Sequence, residues 1–136
     1  MGDLLVDTNV VLRHLMQDNA AQSPSASAFF AAVERGEQVA RLSETIVFET
    51  VFTLERTYRV PRALIRDAVL PLMRLPDVIL PGKEILDTVF DLYTSMNKLS
   101  FADCYHAVLV SWLKLDGIAS FDRGLDRVPG LRRVEP

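Results

Sequence analysis

Five short strand-like stretches, most of them alternating with segments of helical periodicity, constrain this chain more than any other feature. They are "LLV" at 4–6, "QVARLS" at 38–43, "DVIL" at 77–80, "GIAS" at 117–120 and "LRRVE" at 131–135. The first predicts a buried strand, the second a weaker one and the rest short strands. Between them lie helices expected over Thr8–Met16, about 22–35, about 44–57, from the Pro61 turn to a stop at Pro76, over "KEILDTVFDLYTSM" and over "FADCYHAVLVSWLKL". Gly36 is placed to end the second helix and Ser43 to cap the third. Short strands alternating with helices predict a mainly parallel sheet covered on both faces, a three-layer α/β/α sandwich. No repeat or linker divides the chain, and 136 residues suit a single domain over 1–136.

In such sheets ligands bind beyond the carboxyl ends of the strands. Two acids follow strands directly: Asp7 after "LLV" and Asp122 in "IASFD". Asp7 opens a polar triplet with Thr8 and Asn9, and a carboxylate there must be solvated, hydrogen-bonded or ligating. Capping of the following helix accounts for one residue of the three, not for the cluster. Glu49 sits in "IVFETVF" between large apolar residues, on a face that also carries Thr45, Phe52 and Thr53. That face is neither clearly polar nor clearly apolar, so a solvated glutamate and a functional one stay open. Glu44, beside the cap, is explained by the helix dipole.

Ser100 and Asp103 stand three apart before an apolar run, close to a capping box that would account for both. Capping and function are compatible, because an acid in a first turn can also face a cleft. Asp122 near Gly124 suits a turn. Asp126 reads as a surface partner of Arg123 or Arg127, and Ser120 as a hydroxyl that can bond a nearby carboxylate. His106 shares a helix face with Asp103, but without a second histidine motif it reads, like His14, as satisfied or exposed. Cys104 reads as a small buried side chain. No Walker loop, GxGxxG fingerprint or Cys/His zinc spacing is present.

The bulk numbers exclude some classes. No apolar run approaches the ~18 residues of a membrane span, and no secretory signal is visible. Gly2 is followed by Val6 where myristoylation requires Ser or Thr. A lone cysteine cannot close an intramolecular disulfide and fits a reducing, cytoplasmic setting. The net charge of −3 argues mildly against a general nucleic-acid coat. It leaves room for a nuclease that gathers its acids in one pocket.

Together, "VDTN", "FETVFTLERTY", "SFADCYHAVL" and "IASFDRGLDRVPG" resemble the PIN-domain ribonucleases, and most closely the VapC-type toxins of bacterial toxin–antitoxin pairs. The resemblance runs over essentially the whole chain. It implies a PIN-like fold with an acidic site at Asp7, Glu49, Asp103 and Asp122, with Thr8 and Asn9 in the first-strand signature. Ser120 stands where the family often has Thr. An all-carboxylate set suits Mg²⁺ or Mn²⁺, hard ions that take oxygen ligands and neutralise crowded carboxylates. The expectation is then a Mg²⁺- or Mn²⁺-dependent endoribonuclease. Asp7, Asp103 and Asp122 would be the principal metal ligands, with Glu49 completing the shell or orienting water. Thr8, Asn9 and Ser120 would support them.

The resemblance further implies structured RNA such as tRNA as substrate, a cognate antitoxin as partner and a homodimer, with no membrane association. Arg13, Arg41, Lys98, Arg123 and Arg127 are candidates to hold RNA. Phe29, Phe30 and Phe52 are candidates for a partner surface or for the core. An inert PIN-like module that binds RNA or protein is the alternative. A haloacid-dehalogenase-type phosphatase would need a second Asp at position 9, which is Asn, and a receiver domain would need an early acidic pair and a late-strand Lys that the chain does not supply.

Overall fold

The computed structural model describes residues 2–136. Its backbone resolves into two compact units, Met1–Lys83 and Glu84–Pro136. In the first, strands β1 (Asp3–Leu5), β2 (Val39–Arg41) and β3 (Val78–Ile79) form a parallel sheet in the order β1-β2-β3. The register pairs Leu4 with Ala40 and Ala40 with Val78. Parallel neighbours need long crossovers. Here each crossover is a pair of helices: α1 (Thr8–Met16) and α2 (Ser23–Glu34), then α3 (Glu44–Arg56) and α4 (Arg62–Met73).

Local chemistry sets the helix ends. Ser43 Oγ accepts the Ile46 N–H at 3.3 Å and caps α3. At the end of α2, Gly36 takes a φ of +77°. Its N–H reaches Val33 O, and the Glu37 N–H reaches Ala32 O, the paired bonds of a Schellman stop. Pro61 precedes α4 rather than entering it, and the helix ends at Met73, before Pro76. Pro71 lies inside α4 on its exposed side, so the carbonyl it leaves without an N–H partner is on the face that meets water. The core of this unit is aliphatic, with Val11, Val33, Val47, Val51, Ile65, Val69 and Met73 fully enclosed and Phe30 among them.

The second unit holds α5 (Leu86–Ser95), entered through a 3-10 turn at Lys83–Ile85, and α6 (Phe101–Trp112). Strand β4 (Ile118–Ala119) pairs in parallel with β5 (Arg133–Val134), and a 3-10 turn over Arg123–Arg127 lies between them. Phe90, Tyr93 and Phe101 meet at centroid distances of 5.0–6.0 Å and form an aromatic core with Cys104 and Leu125. Ser100 caps α6 by accepting the Asp103 N–H at 3.0 Å.

All five expected strands are present, and the sheets are parallel within each unit. Two expectations fail. The first strand is mostly exposed, not buried: Leu4 and Leu5 are 51% and 72% accessible, and of the expected span 4–6 only Val6, just past β1, is buried. Helix α6 stops at Trp112, short of Leu115, because Lys114 turns left-handed at φ +56°. The N–H groups of Lys114 and Leu115 then close a Schellman stop on Ser111 O and Val110 O, without the usual glycine.

Candidate functional site

Asp7 lies two residues beyond the carboxyl end of β1, in the N-cap position of α1 with extended backbone (φ −71°, ψ 151°). An aspartate there normally accepts an N–H of the first turn. This one makes no side-chain cap bond, and its exposed carboxylate meets no donor among the described residues. The charge is therefore solvated, and both oxygens are open to a ligand. Asn9, in the first turn, is likewise exposed.

Thr8 is different: it is only 8% exposed, and its Oγ1 donates to Glu49 Oε2 at 3.0 Å. Glu49 projects from the second turn of α3, which packs on α1. The hydroxyl fixes one oxygen of that carboxylate and leaves the other free. Glu49 is thus neither a mere solvated glutamate nor buried. Thr8, expected as a supporting residue, is the side chain that ties the first strand's signature to it.

In the second unit, Asp103 is the third residue of α6 and is half-buried. The serine half of the expected capping box is formed, but the Asp103 carboxylate has no partner among the described residues. Placed in the first turn, it is favoured by the helix dipole. Asp122 lies just past β4 and begins the 3-10 turn, its Oδ1 accepting the Gly124 N–H at 2.8 Å. The turn reading of Asp122 is realised, and its Oδ2 remains available. Gly124 was missed as a positioning residue, although Asp-x-Gly is a recognisable signal for such a turn.

Two assignments need correction. Ser120 does not bond a carboxylate; its Oγ accepts the Asp122 N–H at 3.0 Å and so steadies the backbone that carries Asp122. Asp126 pairs not with Arg123 or Arg127 but with Arg133, through two bonds of 2.8 and 3.2 Å. That hydrogen-bonding holds the Asp126 carboxyl below its ordinary range and raises the Arg133 guanidinium above its own. Arg133 also donates to Ser120 O and Glu135, bracing β5 against the end of β4. Asp126 is a structural partner.

His106 is exposed, Cys104 is a buried thiol, and His14 is satisfied by Ser27 at 2.9 Å and packed on the Phe30 ring. Phe30 is core, whereas Phe52 is 62% exposed with Arg56 over its ring. Among the described residues, no group of three or more His, Cys, Asp or Glu side chains is arranged to hold a metal ion. In their chemistry the four acids still fit a hard cation, since they offer carboxylate oxygens that no protein cation neutralises. Among the described residues, no helix is long and apolar enough to cross a membrane.

A parallel α/β chain with acids set beyond the ends of β1 and β4 belongs to the broad class that works on ligands at its strand ends. The family model of the PIN domain matches residues 4–131, and the chain belongs to that family. PIN domains are in general nucleases, hydrolases of phosphodiester bonds, and typically use divalent metal ions. No curated protein matches the chain.

Proposed function

We propose that this PIN domain is a Mg²⁺- or Mn²⁺-dependent endoribonuclease in which Asp7, Glu49, Asp103 and Asp122 serve one hydrolytic reaction. The observation that carries the reading is Asp7: a carboxylate in a capping position that caps nothing and keeps both oxygens free. When bound, a divalent ion would make a bound water more acidic and offset charge at the scissile phosphate. Asp7, Asp103 and Asp122 would supply its oxygens. Glu49, with Oε2 held by Thr8, keeps Oε1 to align the attacking water and take its proton. Asn9 offers an exposed amide beside Asp7, and Ser120 holds the Asp122 backbone in place.

Beyond the chemistry, we read the protein as a cytoplasmic VapC-type toxin, a homodimer restrained by a cognate antitoxin and directed at structured RNA such as tRNA. The resemblance of the four acidic motifs supports this, as do exposed apolar side chains such as Phe52 and Leu64 that a partner would cover. The alternative is a PIN module that binds RNA or protein without cutting.

Purified protein incubated with total RNA, with Mg²⁺ or Mn²⁺ and with chelator, separates the two. Metal-dependent cleavage abolished by Asp7→Asn supports the nuclease. Cleavage that persists in chelator or in the variant refutes the mechanism, and RNA bound but left intact favours the binding module.

A further inference from the structure

Five cationic residues stood out as RNA-holding candidates, and the structure divides them. Arg41 is paired with Asp3 at 2.9 Å, Arg13 donates to Gln22 and lies 3.9 Å from Asp18, and Arg123 is 3.9 Å from Glu135. Lys98 and Arg127 have no hydrogen bond or ion pair among the described residues. Both line the same cavity, of about 220 Å³, in the second unit.

The cavity is formed where the α5–α6 connection passes the 3-10 turn that begins at Asp122. Ser95 and Asn97 add a hydroxyl and an amide to its lining, Leu99 is its enclosed apolar side at 2% exposure, and Gly124 completes the wall. A β-carbon at 124 would stand 3.3 Å from Leu99 Cδ2 and 3.0 Å from Asp122 Oδ1. Glycine therefore keeps the cavity open while its N–H holds the Asp122 carboxylate at 2.8 Å. Gly124, on the cavity wall, is two Cα steps from Asp122, at most about 7.6 Å.

We propose that Lys98 and Arg127 form a subsite for a backbone phosphate of the nucleic-acid substrate, flanking the phosphate that reacts at Asp122. This rests on the nuclease reading above. Lys98 and Arg127 are exposed and line one cavity beside a carboxylate-bearing turn, so both charges are available to an anion. A lysine point charge with an arginine fork is a phosphate-binding pair. A peptide helix, about 10 Å across, is too large for the space. The lining has no aromatic ring on which a base could stack, and its two cations match a phosphate in charge, a contact that carries position without sequence choice.

The test is binding of a short single-stranded oligoribonucleotide carrying 2′-O-methyl groups, measured in chelator across a salt series, so that no cleavage intervenes. Lys98→Gln and Arg127→Gln should each weaken binding by about tenfold and flatten the salt dependence by about 0.7 in log–log slope, the share of one single-strand phosphate contact. Lys114→Gln, an exposed lysine outside the lining, should leave the slope unchanged. Unaltered affinity and slope in Lys98→Gln and Arg127→Gln would overturn the subsite, as would an equal loss in Lys114→Gln. If inorganic phosphate binds through Lys98 while the oligonucleotide does not, the cavity is a free-phosphate site and the proposal also falls. If the two variants lose binding as expected but metal cleaves no RNA, the subsite stands and the nuclease reading fails. If the wild type binds no oligonucleotide, the subsite falls, and metal-dependent cleavage of total RNA alone decides the nuclease reading.

Discussion

Replacing Thr8 by valine removes one hydroxyl and keeps the shape of the side chain. The bond it deletes, 3.0 Å to Glu49 Oε2, joins a nearly buried donor to an exposed carboxylate. A hydrogen bond to a charged acceptor contributes about 1.5–3 kcal/mol when both partners lose water. Glu49 can recover solvent, so the stability cost should be nearer 1 kcal/mol, a fall in Tm of about 4 °C. The catalytic cost should be larger. A residue that orients a metal-site group typically accounts for a 10–100-fold effect. Thr8→Val should therefore lower kcat by about that factor and leave KM for RNA unchanged, and Thr8→Ser should restore most of the rate. Single-turnover cleavage in the Glu49→Ala background gives the deciding comparison, because Thr8 is argued to act only through Glu49. There Thr8→Val should cost nothing further. A loss of the same size in both backgrounds would refute the positioning role.

Gly124→Ala should lower cleavage far more than stability, because its β-carbon would stand 3.0 Å from Asp122 Oδ1; a rate equal to wild type would show that the carboxylate tolerates the shift. Ser100→Ala should cost about 1 kcal/mol in chemical denaturation through loss of the α6 cap, and Ser100→Asp should recover it. Gly36→Ala should destabilise by about 1 kcal/mol because of its left-handed backbone, although Asp77, 3.6 Å from the new β-carbon, leaves space for it. Burial lowers the His14 pKa from the ordinary 6.5, so the folded state prefers the neutral ring. Its contribution is complete above pH 6.5 and is lost as pH falls from there through the folded value, where the unfolded chain binds the proton first. The Tm of His14→Asn should decline less than that of the wild type below pH 6.5.

Much of this architecture is legible in the sequence because its signals are local. Ser43, Ser100 and Gly36 mark helix ends through bonds made within a few residues, and the strand positions follow from short apolar runs between them. What stays hidden depends on distant partners or on backbone strain without its usual residue. Nothing near Lys114 announces a left-handed stop, since a lysine occupies the place of a glycine. The exposure of Leu4 and Leu5 depends on what packs over the faces of β1, which a three-residue run does not record. Sequence proximity points Asp126 to Arg123 and Arg127, whereas parallel pairing of β4 and β5 brings Arg133 to it. For the acids, the sequence offers four candidates and the structure separates their settings. Asp7 and Asp103 leave their capping bonds unmade, Asp122 uses one oxygen in a turn, and Glu49 is held by Thr8.

The central claim is that four carboxylates serve a single reaction, and single-turnover cleavage of one RNA in saturating Mg²⁺ tests it most directly. Asp7→Asn, Glu49→Gln, Asp103→Asn and Asp122→Asn should each lose about 100-fold or more, and the quadruple variant should be little worse than the weakest single, as for residues acting as a unit. Four small losses that multiply, or any one of these variants cleaving at the wild-type rate, would contradict it.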